Sequence, residues 1–232
     1  MTDELFSVDG QVTLVSGGSR GIGRALAAGF VDRNARVIIT GRDEDVLRKT
    51  AEEISSPDNK AQPIVCDVSQ SESVDRLVET VIAEYGQIDS LLNVAGVNKR
   101  QPVETFTLEE FDFILDINLR GAFYLAQQVG KQMISRKSGT IINIDSLNTN
   151  SPLKGVLPYA MSKGGLNIMT RGMATEWGRH GVRVNSIAPG FILTDLTRKL
   201  WSDPKMNAWG CSNTPLERLG EVEDMVGTAI FL

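Results

Sequence analysis

Tyr159 and Lys163 stand four residues apart in the helix-forming stretch Tyr159-Ala160-Met161-Ser162-Lys163, and Ser146 lies thirteen residues before the tyrosine. A free tyrosine titrates near about 10 and a lysine slightly above it. Residues spaced by four share one helix face, so the ammonium is expected to favour the phenolate and draw the tyrosine's pKa down. Such a tyrosine can protonate an alkoxide or deprotonate an alcohol, and a serine hydroxyl near the same oxygen would hold the carbonyl. A Tyr/Lys pair alone also arises from a solvated lysine lying along a tyrosine. What makes it chemical is the company of Gly17-Gly18-Ser19-Arg20-Gly21-Ile22-Gly23 directly after the apolar run Val12–Ser16. A glycine turn between a strand and a helix lets a pyrophosphate approach the backbone at the helix N-terminus. The spacing G-x-x-x-G-x-G differs from the usual G-x-G-x-x-G, but the physical role is the same. Hydride transfer to or from a nicotinamide, with Tyr159 handling the proton, is the chemistry implied.

Positioning these groups falls to a regular alternation of strands and helices. Strands are expected at Val12–Ser16, Arg36–Thr40, Gln62–Cys66, Ile88–Val94, Thr140–Ile144 and Val182–Ala188. Between them fall helical segments: Ile22–Val31, Asp43–Ile54 (Val46, Leu47, Ala51 and Ile54 inward), Ser71–Tyr85, the long Leu108–Ile134, and Tyr159–Arg179. Ser71–Tyr85 is the clearest, with Val74, Leu77, Val78, Val81, Ile82 and Tyr85 on one stripe. The pattern predicts an α/β fold with one doubly wound parallel sheet, Rossmann-like, helices covering both faces. No composition break marks a linker, so residues 1–232 form one domain, with 191–215 as a candidate substrate lid within it. Ligands of such sheets bind beyond the carboxyl ends of the strands, which is where each polar motif falls.

With 232 residues and a net charge of −5 spread along the chain, a small-molecule substrate is expected and nucleic acid is not. The acidic start lacks the basic and apolar regions of a signal peptide, and no run approaches a membrane span, which points to a cytoplasmic protein. Cys66 and Cys211 then read as reduced thiols, and a lone His180 without clustered cysteines gives no metal site. The second strand ends Thr40-Gly41-Arg42. An acid there would favour NAD, a base the 2′-phosphate of NADP. Arg42 and Arg20 favour NADP(H) over NAD(H), although Asp43 is adjacent and Arg42 could be a solvated turn residue.

Taken together, Ser16-Gly17-x-x-x-Gly21-Ile22-Gly23, Asp67, Asn93-Val94-Ala95-Gly96, Asn118, Ser146, Tyr159-x-x-x-Lys163 and Pro189-Gly190 resemble the short-chain dehydrogenase/reductase family from about Val8 onward. The resemblance implies a catalytic set of Asn118, Ser146, Tyr159 and Lys163. It also implies cofactor contacts from Gly17, Ser19, Arg20, Gly21, Ile22, Arg42, Asp67, Val68, Asn93, Ala95, Gly96, Tyr159, Lys163, Pro189, Gly190, Ile192 and Thr194. In that scheme Asp67 and Val68 meet the adenine, Asn118 holds a water leading from Lys163 to solvent, and Lys163 also binds the nicotinamide ribose. Two departures stand out: Val94 replaces an asparagine and should point into the sheet, and the family's closing strand is missing after Leu232. That would leave a sheet edge unpaired and weaken the family's homotetramer.

For the substrate, Lys99-Arg100-Gln101-Pro102 after Gly96 is similar to the gluconate 5-dehydrogenase and 2-deoxygluconate dehydrogenase branch, which handles sugar acids. On that resemblance Arg100, Ser146, Asn148 and Tyr159 would contact substrate. Trp201 and Trp209 would belong to the lid, or fill a subunit contact. Two other readings stay open: a 3-oxoacyl-carrier-protein reductase, with Lys99 and Arg100 docking the acidic carrier, and an inactive dinucleotide-binding regulator.

Overall fold

A computed structural model describes residues 6–232. Six parallel strands form one sheet in the order β3-β2-β1-β4-β5-β6: β1 Val12–Ser16, β2 Arg36–Gly41, β3 Gln62–Val65, β4 Ser90–Asn93, β5 Gly139–Ile144 and β6 Val182–Ile187. The central strands β1 and β4 are buried throughout, as expected of strands covered on both faces. β3 lies at an edge, which explains how Pro63 is accommodated: a proline cannot donate to a further strand.

Helices α1 (Gly21–Val31), α2 (Glu44–Ile54) and α7 (Val226–Phe231) belong to one face, and α3 (Ser71–Tyr85), α5 (Ala122–Arg136) and α6 (Leu157–Trp177) to the other. Each face has its own apolar cluster. Leu26, Phe30, Ile39, Leu47 and Leu92 belong to the first, and Leu14, Leu77, Leu91, Leu125 and Ile141 to the second. Burial of each such side chain contributes roughly 1.5–3 kcal/mol.

Two local expectations are corrected. Val46 does not face inward but is 40% exposed. It sits in the first turn of α2, where its backbone N–H is capped by Asp43, and the buried stripe is Leu47, Thr50, Ala51 and Ile54. Thr50 escaped the apolar count because its hydroxyl is buried while donating to the Ser19 carbonyl at 2.9 Å. The long helix expected over 108–134 is broken into α4 (Leu108–Leu115), a π-helical turn (Asp116–Gly121) and α5. Side-chain periodicity barely registers one extra residue per turn. The turn is fitted tightly: a Cβ on Gly121 would stand 2.5 Å from the Val68 carbonyl oxygen.

The strand order reverses between β1 and β4, opening a crevice above their carboxyl ends. The glycine loop leaves β1 there and Val94–Gly96 leaves β4. Both are tied to the sheet: Gly17 and Gly18 donate to the Thr40 carbonyl at 3.0 Å, and Ala95 to the Ser16 carbonyl at 2.9 Å.

Candidate active site

One cavity of about 1130 Å³ fills the crevice, large enough for a dinucleotide and a small substrate together. At one end stand the glycine loop, Arg20, Arg42, Asp67 and Val68, and at the other Ser146, Tyr159 and Lys163, with Ala95, Gly96, Pro189, Gly190, Ile192 and Thr194 also lining it.

The loop's glycines do different work. Gly17 and Gly21 adopt φ of +77° and +52°, a region that disfavours other residues. A Cβ on Gly23 would lie 2.1 Å from the Gly17 carbonyl oxygen, so that glycine lets α1 pack onto the loop. A Cβ on Gly21 would meet nothing nearer than Thr194, at 3.6 Å. Packing is therefore one function of the loop, and leaving the cavity floor clear is another.

Asp43 lies beside Arg42, but its carboxylate accepts the Val46 N–H as the cap of α2. Arg42 and Arg20 are exposed and, among the described residues, in no ion pair. A phosphate at this end would meet two available guanidinium groups.

At the catalytic end, α6 carries Tyr159 and Lys163 up beside the end of β5. Lys163 is buried, and its Nζ donates to the Ile144 carbonyl at 2.6 Å and lies 5.8 Å from the Tyr159 ring centre. Burial pulls the lysine down from 10.5 to about 8, opposed by the negative charge of Asp145. Tyr159 does not follow the sequence expectation. Burial raises its pKa, Asp145 raises it further, and only the Ser146 hydroxyl favours the phenolate. The ammonium is held by a backbone carbonyl, and desolvation of the phenol outweighs its neighbour.

Asn148 has a different place from the one anticipated. Its backbone and side-chain N–H groups both donate to Ser146 Oγ at 3.1 Å, and its Oδ1 accepts Leu153 N–H at 2.9 Å. With its lone pairs so engaged, Ser146 is left with a proton to donate, and its hydroxyl is the neighbour that favours the Tyr159 phenolate. Asn148 does not line the cavity.

The π-helical turn buries Asn118, whose Oδ1 accepts Val97 N–H at 2.8 Å and whose Nδ2 donates to the Val97 carbonyl and Ser162 Oγ. It braces the loop after β4 against α6. Such turns recur at functional sites. Asn93 is also outside the lining, its amide buried against Ala122 and Asn143. Val94 packs on the core and borders the cavity as well.

Arg100 is not brought to the cavity. It is exposed and donates to the Lys154 carbonyl at 2.9 Å, while its neighbour Lys99 pairs with Glu110. In segment 191–215 Phe191 packs edge-on against Trp201 and at a tilt against Trp209, with ring centres 5.3 and 5.2 Å away. Trp201 thus fills the segment's own small core, while Trp209 is 40% exposed. Its first part, Ile192 and Thr194–Thr197, faces the cavity.

Residues 11–205 match the family described as short chain dehydrogenase. The chain belongs to that family. It is 38% identical over 229 residues to the gluconate 5-dehydrogenase of Gluconobacter oxydans, covering 99% of this chain and 90% of the relative. With the 5-keto-D-gluconate 5-reductase of Escherichia coli K12 it shares 34% identity, over 99% of this chain and 91% of that protein. The crystal structure of a gluconate 5-dehydrogenase from Burkholderia cenocepacia in complex with NADP and tartrate superposes with a TM-score of 0.94 at 35% identity. That match covers 99% of this chain and 90% of the other. These similarities place the family member in a gluconate 5-dehydrogenase-like branch.

Proposed function

We propose that this protein interconverts a secondary alcohol and a ketone on a sugar acid of the gluconate/5-ketogluconate type, using NADP(H) in preference to NAD(H). The observation that carries it is the continuous cavity joining the glycine loop and two guanidinium groups, in no ion pair among the described residues, to the Ser146–Tyr159–Lys163 set. The clear floor at Gly21 and the capped Asp43 fit a dinucleotide bearing a 2′-phosphate, held by Arg20 and Arg42. Bound there, the nicotinamide would supply or accept the hydride.

The rest of the chemistry belongs to the chain. In reduction, Tyr159 gives its hydroxyl proton to the carbonyl oxygen as charge develops on it. Ser146, its proton directed by Asn148, donates a second hydrogen bond to that oxygen. The buried Lys163 ammonium stabilises the phenolate left behind. Asn118 keeps one Oδ1 lone pair free for a water on the route by which that proton is replaced. In oxidation the same steps run backwards, with the phenolate as base.

The name and bound ligands of the Burkholderia protein support both the sugar acid and NADP. The substrate carboxylate is not assigned to Arg100, which lies outside the cavity. A homo-oligomer in the cytoplasm completes the reading. The self-association is supported by the exposed apolar set Leu108, Phe113, Phe123, Met161 and Ile168 on α4, α5 and α6.

The test is turnover of 5-ketogluconate against acetoacetyl thioesters, with NADPH and NADH, by the parent and by Tyr159→Phe. The parent should prefer 5-ketogluconate with NADPH. The variant should lose turnover yet keep NADPH affinity. Preference for the thioester would replace the sugar acid with a carrier-bound acyl group, for which Lys99 and Arg100 are suitably exposed. Turnover in Tyr159→Phe within a few-fold of the parent would remove the assignment of the proton donor.

A further inference from the structure

Asp145 is a carboxylate 3% exposed at the end of β5, beside Ser146 and bordering the catalytic end of the cavity. Nothing in the proton transfer just described uses it. An ionised group is seldom buried without a compensating role, and its contacts suggest one. Oδ1 accepts the Thr149 hydroxyl at 2.5 Å and Oδ2 accepts the Asn167 amide at 2.9 Å. Thr149 ends the short turn that carries Ser146 and Asn148, and Asn167 lies one helical turn beyond Lys163 on α6. The carboxylate thus joins the two elements that bear the catalytic hydroxyls, while the neighbouring Ile144 carbonyl holds Lys163 Nζ.

We propose that Asp145 is a positioning residue for the reaction: it clamps α6 to the Ser146 turn and sets a carboxylate against the end of α6 that bears Tyr159 and Lys163. The proposal rests on the roles given above to Tyr159 and Lys163.

The surroundings leave this task to Asp145. Tyr159 is the other titratable side chain of α6 at this end. The turn after β5 contributes none at Leu147–Thr149. On the π-helical turn Asp116 is half-buried and Arg120 exposed, and the two are 3.8 Å apart. In the loop after β4, Lys99 is paired with Glu110 and Arg100 with a carbonyl. Beyond β6, Asp195 is exposed. Asp145 is the charged group whose field raises both Lys163 and Tyr159.

The sign of the consequence follows. Reduction requires Tyr159 as O–H and Lys163 as ammonium, so its rate falls as pH rises through their titration. Removing the negative charge lowers both titrations. Asp145→Asn should therefore move the alkaline limb of NADPH-dependent 5-ketogluconate reduction down by about one pH unit. Asn167→Leu keeps the charge and breaks the clamp. It should lower kcat roughly ten- to a hundredfold with the limb unmoved and KM little changed.

A second readout needs neither cofactor nor substrate. The chain has three tyrosines, so ¹³Cζ-tyrosine NMR resolves Tyr159, identified by its absence in Tyr159→Phe. Its titration should fall in Asp145→Asn, while Tyr85 and Tyr124 stay fixed as controls. If Asp145→Asn does not fold, Asp145→Ser, which keeps an acceptor without the charge, takes its place in both measurements. A lower kcat with both the limb and the Tyr159 titration unmoved would overturn the proposal and leave Asp145 a packing residue. An active Tyr159→Phe would instead overturn the catalytic reading on which it rests. The NMR result separates the two failures.

Discussion

Replacing Lys163 by methionine should make the fold more stable while abolishing turnover. Lys163 is buried and its pKa is depressed from 10.5 to about 8. Each pH unit of such a depression corresponds to about 1.4 kcal/mol, so keeping the ammonium inside costs the fold about 3 kcal/mol at pH 7. Methionine fills a similar volume without a charge. It forfeits the ammonium's hydrogen bond to the Ile144 carbonyl, worth about 1.5–3 kcal/mol for a charged donor. The net gain is up to about 1.5 kcal/mol, or an increase in Tm of up to about 6 °C for a chain of this size.

The pH dependence supplies the signature. Between about 8 and 10.5 the unfolded chain binds this proton and the folded one does not, so stability of the parent rises with pH through that window. The penalty is complete below about 8 and gone above 10.5. The difference between variant and parent should therefore be constant near neutrality and shrink as pH climbs past 8. Urea denaturation from pH 7 to 10, followed by fluorescence, measures it. A Met variant less stable than the parent at pH 7, or a gap that widens with pH, would refute the view that desolvation of Lys163 outweighs its contacts. Activity gained at the expense of stability is a common arrangement in active sites.

Two other outcomes are expected. Arg42→Ala should weaken NADPH at least about tenfold and leave NADH nearly unchanged, since a charge-assisted hydrogen bond is worth roughly 1.5–3 kcal/mol. Cofactor fluorescence titration checks it, and equal losses would make Arg42 a structural residue. Gly23→Ala should destabilise the protein by about 1–3 kcal/mol or prevent folding, because the new Cβ would fall 2.1 Å from the Gly17 carbonyl oxygen. A thermal melt unchanged from the parent would show that the loop can give way.

Local chemistry was sufficient for much of this protein. Alternating β-branched runs and amphipathic stripes located all six strands of the sheet, and Ser71–Tyr85 kept its sequence bounds. The glycine loop and Tyr159/Lys163 were legible because each is a short pattern whose meaning lies within one turn of backbone, and Arg20 and Arg42 because one lies in that loop and the other directly follows the end of a strand. Residues acting across elements were hidden. Asp145 reads as an ordinary residue after a strand until Thr149 and Asn167 close on its two oxygens. Asn148 reads as a substrate contact until its amide is seen holding Ser146. Arg100 has the right charge near the right motif, yet the loop turns it to the Lys154 carbonyl. The direction of the Tyr159 shift was missed for the same reason. Helical spacing reveals a neighbouring ammonium, whereas burial, set by every element packed around the phenol, decides which effect wins. A sequence determines what each segment can do alone; partners, exposure and field depend on distances between segments, and those exist only once the chain has folded.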